Sequence, residues 1–96
     1  MTGYVLRPRA RRDIEQIWDN TAKSWGTAQA EVYVRQIQGS LETIACEPRI
    51  GRTCDEVRVG YRKFPSGSHI VFYRISADTI DVVRILHQSM DFEQHV

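Results

Sequence analysis

The sequence predicts a small α+β fold in the order β-α-α-β-β-β, an antiparallel helical hairpin packed on a small, mainly antiparallel sheet. Three observations carry that expectation. Apolar residues recur at helical spacing from Ala10 to Ala45, with Gly26 as the one break between two runs. Residues 57–88 are instead rich in Val, Ile, Tyr and Phe, in short stretches punctuated by Gly60, Pro65-Ser66-Gly67 and Ala77-Asp78. A chain of 96 residues also has material for only one core, so both halves must share it, and one domain over residues 1–96 is expected.

Tyr4, Val5 and Leu6 form a short first strand, and Pro8 then presets the backbone angle of a first helical turn. Arg7 stands where a Ser or Asp cap would serve better. Ala10, Ile14, Ile17, Trp18, Thr21, Ala22 and Trp25 make the stripe of this helix, which Gly26 ends as a C-terminal cap. Thr27 is the expected cap of a second helix, with a stripe of Ala30, Tyr33, Val34, Ile37, Leu41, Ile44 and Ala45 running to Glu47-Pro48. So short a link requires antiparallel helices. Gly39 marks either a close approach of the partner helix or an exposed, tolerated defect costing up to about 1 kcal/mol against alanine.

Residues 49–56 read as a loop, followed by strands over 57–64, 68–75 and 79–87. A two-residue turn at Ala77-Asp78 sets Arg74 opposite Asp81, Phe72 opposite Val83 and Ile70 opposite Ile85. It leaves Val71, Tyr73, Val82 and Arg84 on the other face. Both faces are then partly apolar, and one helical hairpin covers only one. The tail, a protein partner or a second copy must shield the other, and the tail residues Met90 and Phe92 suit a short helical turn.

Composition excludes several classes. No apolar run approaches the roughly 20 residues of a membrane span, and no apolar segment follows the N-terminal arginines as a secretory signal requires. A cytoplasmic chain is expected. Cys46 and Cys54 stand eight residues apart without a second pair, a spacing that suits neither a zinc knuckle nor a redox CxxC motif, so neither a metal nor a cofactor is expected. The net charge of +1 conceals segregation: residues 1–12 carry four arginines and no acid, residues 13–48 sum to −4, residues 49–87 to +3 and the last nine to −2. Such a dipolar balance differs from the uniformly basic surface of a strong nucleic-acid binder, and no strong direct nucleic-acid binding is expected.

The stretches RPRARRDIEQIWDNTAKSWG, EPRIGR, VRVGYRKFPSGSHIVFYR and VVRILHQSMD, in this order, resemble the ParE branch of the ParE/RelE superfamily of type II toxin-antitoxin toxins over nearly the whole chain. The resemblance implies a toxin that acts on DNA gyrase and is silenced by a ParD-like antitoxin in a hetero-oligomer. The related RelE branch instead cleaves messenger RNA on the ribosome. That chemistry needs a base for the ribose hydroxyl, a cation for the phosphate and an acid for the leaving oxygen. Arg84 and His87 are the residues that would carry it here. However, Gln88 stands where some nuclease relatives have tyrosine, and Ile70 where they tend to have arginine, so two functions are missing. A non-catalytic, gyrase-inhibiting toxin is therefore the leading expectation, and a ribosome-dependent endoribonuclease the alternative.

Candidate target-facing residues are Arg58, Tyr61, Arg62, Lys63, Arg84 and His87; Tyr61 and Phe64 also read as half core. Candidate antitoxin contacts are Trp18, Trp25, Tyr33 and Ile37, although paired tryptophans on one stripe read first as core anchors. His69, beside the Ser66-Gly67-Ser68 turn, reads as structural, and Arg74 as the cross-strand partner of Asp81.

Overall fold

A computed structural model describes residues 3–96. Strand β1 (Gly3–Leu6) leads into helix α1 (Pro8–Trp25) and helix α2 (Thr27–Cys46). Strands β2 (Arg52–Thr53), β3 (Arg62–Ser66), β4 (His69–Ser76) and β5 (Thr79–His87) follow, then one helical turn, α3 (Phe92–His95). The sheet order is β1-β5-β4-β3-β2, parallel only between β1 and β5. The α+β class, the helical hairpin and the mainly antiparallel sheet are as the sequence predicts.

Gly26 alone joins the helices. Its φ of 94° suits a residue without Cβ, its N–H closes α1 on the Ala22 carbonyl, and its carbonyl accepts from Ala30 to open α2. Thr27 is consequently not the cap; it is already the first helical residue, and Gly26 occupies the cap position without a side-chain bond. Arg7 does hold the cap position of α1, likewise without a side-chain bond; its own N–H is donated to Val82. Gly39 faces open space, which selects the tolerated defect over a close helix approach.

The main core lies between the helices and one face of the sheet. Ala10 and Ile17 of α1 and Ile37, Leu41 and Ile44 of α2 meet Val71, Tyr73, Ile80, Val82 and Ile85. Burial of this apolar surface, at about 25 cal/mol per Å², is the main favourable term. Trp18 and Trp25 take no part: Ile17 fills the inward position with Trp18 about 100° round the helix, and Trp25 is 76% exposed at the end of α1. The reading of these tryptophans as core anchors is corrected accordingly.

Register holds the main departure from expectation. From the Ala77-Asp78 turn, Ser76 pairs with Thr79, Arg74 with Asp81 and Tyr73 with Val82, as the turn dictates. Phe72 then pairs with Arg84, and Ile70 with Leu86. Val83 is thus an extra residue in β5, a β-bulge that turns the rest of the strand by one position. It moves Ile85 into the main core beside Val71 and takes Arg84 out of the Tyr73 set to stand opposite Phe72. The facing pairs Phe72–Val83 and Ile70–Ile85 do not form.

The second sheet face carries a smaller cluster of Cys54, Phe72 and Leu86. It is covered by Val57 and Tyr61 from the preceding loop and by Phe92 and Val96 from the tail. The Phe92 ring meets Phe72 edge-on at 4.9 Å. The tail and the loop together thus provide the required shield. The strand expected over 57–64 begins only at Arg62, because residues 54–61 fold on themselves. Val57 and Arg58 both donate to the Cys54 carbonyl, and the Gly60 N–H is taken by the Asp55 carboxylate. Conversely, the segment expected as a loop contributes β2, which pairs with Arg62 and Lys63.

Candidate functional site

At one end of the hairpin, α1, α2 and the β3–β4 turn enclose an open groove of about 480 Å³, lined by Thr21, Trp25, Gln29, Tyr33, Ser68, His69 and His87. Its floor depends on the turn. Gly67 has a φ of 61°, and a Cβ there would lie 2.8 Å from the Tyr33 ring, so glycine lets α2 approach the turn. The Tyr33 hydroxyl accepts from the Ser68 N–H at 2.9 Å, which leaves its proton for Nδ1 of His69 at 2.6 Å.

His69 and His87 are direct cross-strand partners, with ring centroids 5.3 Å apart and planes nearly perpendicular. Nδ1 of His87 accepts from the Ser89 N–H at 3.1 Å and takes the Ser89 hydroxyl proton at 2.7 Å. Because Nδ1 of His87 accepts from a backbone N–H, that imidazole carries its hydrogen on Nε2 when neutral. Burial lowers the pKa of His69, the adjacent His87 lowers it further, and the Asp13 carboxylate only partly opposes them. Expected from sequence as a separate structural residue, His69 is half of a pair. The bulge at Val83 creates the pair; without it His69 would face Leu86.

Arg84, a candidate for both target binding and phosphate chemistry, is committed within the fold. Its Nε and one terminal nitrogen grip the two Asp13 oxygens at 2.8 and 2.9 Å, and the other terminal nitrogen donates to the His95 carbonyl at 2.6 Å. The same Asp13 carboxylate caps the Ile85 N–H exposed beside the bulge. The bidentate bond to Asp13 raises the Arg84 pKa despite partial burial. Asp13 thus fastens α1, β5 and the tail together, a role that motif reading did not assign. His87 engages His69 and Ser89, so Arg84 and His87 answer to separate partners.

The other candidates divide. Arg62 is half-buried and donates to the Gly51 and Arg49 carbonyls at 2.7 and 3.4 Å, holding the loop before β2. Lys63 reaches Glu56 at 3.8 Å. Arg58 stays exposed, stacked over Tyr61 at 5.9 Å and donating to the Val96 carbonyl. Tyr61 is partly buried against the second cluster, matching its half-core reading, and Phe64 packs on the main core. Of the antitoxin candidates, Trp25 and Tyr33 line the groove and Trp18 is 36% exposed, but Ile37 is fully buried and has no surface to offer a partner. Arg74 does bond Asp81, as read from sequence, and Arg7 joins it. Partial burial works to raise the Asp81 pKa, but these two guanidinium bonds prevail and lower it. Among the described residues no group of three His, Cys, Asp or Glu is placed to hold a metal ion, and no helix is long and apolar enough to cross a membrane.

Comparison with known proteins places this architecture. The family described as the ParE toxin of the type II toxin-antitoxin system parDE matches residues 4–92. The chain belongs to the ParE toxin family. It is 51% identical over 94 residues to Toxin ParE1 of Mycobacterium tuberculosis, covering 97% of this chain and 96% of that protein. It is 41% identical over 96 residues to Toxin ParE1 of Caulobacter vibrioides, covering 100% and 99%. A chain of the chromosomal ParDE system from P. aeruginosa shares the fold with a TM-score of 0.79 at 18% identity, over 91% of this chain and 95% of that one. One of the toxin-antitoxin complex RelBE2 from Mycobacterium tuberculosis gives 0.68 at 18% identity, over 91% and 98%. This ParE family member is therefore the toxin component of a type II toxin-antitoxin system, on a fold shared with a chain of the RelBE2 complex.

Proposed function

We propose that this toxin arrests growth as a non-catalytic inhibitor of DNA gyrase in the cytoplasm, and that a ParD-like antitoxin silences it in a hetero-oligomer. The observation that supports a binding mechanism most is the commitment of Arg84. A guanidinium that spends three of its five N–H donors on a carboxylate fork and a backbone carbonyl, with its charge paired to Asp13 and its side chain only 15% exposed, is poorly placed to take a scissile phosphate. With Gln88 and Ile70 in place of proton-handling and cationic groups, the histidine pair lacks the cation that phosphodiester cleavage needs.

The exposed surface near Arg58, Tyr61 and Lys63 is the face assigned to the target, and His87 lies apart from it, in the groove with His69. The groove beside Trp25 and Tyr33, with Trp18 on its flank, is assigned to the antitoxin, because a large exposed indole beside a half-buried tyrosine suits the apolar anchor of a segment that folds on contact. Purified toxin added to gyrase and relaxed plasmid is expected to block supercoiling, and equimolar antitoxin to restore it. Unimpaired supercoiling, together with ribosome-dependent messenger RNA cleavage that His87→Ala abolishes, would favour the endoribonuclease reading instead.

A further inference from the structure

The first five residues of α1 carry Arg9, Arg11 and Arg12 and no acid, and Arg7 stands at its cap position. The helix dipole makes this the end where acidic side chains stabilise and basic ones do not. Arg9, Arg11 and Arg12 break the local rule there with no packing gain to offset them, so the sequence has another use for those charges. Arg9, Arg11 and Arg12 are all exposed, and among the described residues none has an ion pair or a side-chain hydrogen bond. They differ in this from Arg62 and Arg84, which the fold has consumed. The first acid of the helix, Asp13, is taken by Arg84. Positive charge also continues beyond the helix, since Arg7 and Arg74 share the single carboxylate of Asp81 and line one pocket with Arg9 and Tyr61.

At 100° per residue, Arg9, Arg11 and Arg12 fan over about 160° of the outer side of the helix. The fan offers an acidic peptide no single cleft that gathers the arginines: Arg7 and Arg9 line one pocket with Arg74, and Arg11 and Arg12 line another with the carboxylate-bearing Glu15. The fan does match a duplex, because a helix of about 10–12 Å diameter enters a groove about 12 Å wide and its guanidiniums reach the phosphate rails on both sides. All four cations are arginines, whose planar fork pairs bidentately with phosphate.

We propose that the arginine pole of α1 is a sequence-independent contact for the phosphate backbone of double-stranded DNA. With three or four phosphates engaged the contact is weak and salt-sensitive, consistent with a net charge of only +1. The inference goes beyond gyrase inhibition and does not depend on it.

The test is fluorescence anisotropy of the purified full chain with a short labelled duplex of arbitrary sequence, between about 50 and about 200 mM salt. The expected slope of log affinity against log salt is about −3, an affinity loss of roughly 60-fold over that range. The triple variant Arg9→Gln, Arg11→Gln, Arg12→Gln is expected to bind at least about tenfold more weakly with a slope near −1 or shallower. The exposed Arg52→Gln, on β2, should leave binding unchanged. Because the triple variant removes charges that oppose the helix dipole, its melting temperature should equal or exceed that of the parent, which separates lost binding from lost folding. Absence of binding at low salt, equal binding by the triple variant, or tighter binding of a polyglutamate peptide than of duplex would overturn the proposal. DNA binding without gyrase inhibition would sustain it and sink the gyrase reading; gyrase inhibition without DNA binding would do the reverse.

Discussion

His69 is set by what surrounds it rather than by its position in the chain. In the folded state burial and His87 hold its pKa below the ordinary histidine value, whereas the unfolded chain restores that value. Between the two values the unfolded chain binds more protons, so its contribution to stability is complete above about pH 6.5 and is lost as pH falls through the window below. Melting temperature should therefore drop between about pH 7 and about pH 5.5. In His69→Asn, whose amide oxygen can replace Nδ1 as acceptor for Tyr33, that part of the drop should vanish; an undiminished slope would place the titration elsewhere. Asp81 acts in a separate window, because its lowered pKa gives stability that persists above the carboxylate range and is lost only in stronger acid. Asp13 matters through geometry. Asp13→Ala leaves Arg84 and the Ile85 N–H without their partner in a partly buried site and should cost about 2–3 kcal/mol, read by chemical denaturation, with Asp13→Asn costing less.

Among the elements, the tail turn α3 does more than finish the chain. Phe92 and Val96 roof the cluster of Cys54, Phe72 and Leu86, while Arg84 and Arg58 tether the His95 and Val96 carbonyls. Cys54 is fully buried there, where burial raises its thiol pKa; Cys46 is exposed at the end of α2. A thiol reagent should thus label one cysteine at once and the other only on opening. Phe92→Ala should speed labelling of Cys54 about tenfold or more without changing Cys46, since an aromatic lost from a packed cluster costs more than 1 kcal/mol. Equal rates in parent and variant would show that the loop, not the tail, protects the second face. The helices and the tail turn were legible from periodicity and punctuation. The strand near residue 57 was not, because Asp55 and the Cys54 carbonyl capture backbone groups that apolar content alone assigns to a ladder. The Val83 bulge had no mark in the sequence, and missing it misplaced Arg84 and concealed the pairing of His69 with His87.

For the molecule as a whole, the sequence carried the family and the charge segregation but not which charges are free. Arg62 and Arg84 lie in the basic half and look available until their partners are seen, while Arg9, Arg11 and Arg12, not counted among the candidate contacts, are left outward without an ion pair. Trp25 likewise fits the apolar stripe by spacing, yet stands at the mouth of the groove because α1 outlasts the cover above it. In the proposed mechanism interior polar groups hold the fold and the surface does the binding. Its most direct test is the dose dependence of gyrase inhibition by the purified toxin. A non-catalytic binder should titrate the enzyme, with supercoiling lost in proportion to toxin and the endpoint near molar parity, both for the parent and for His87→Ala. Supercoiling that persists at toxin excess, or is abolished by a trace of toxin acting repeatedly, would contradict it.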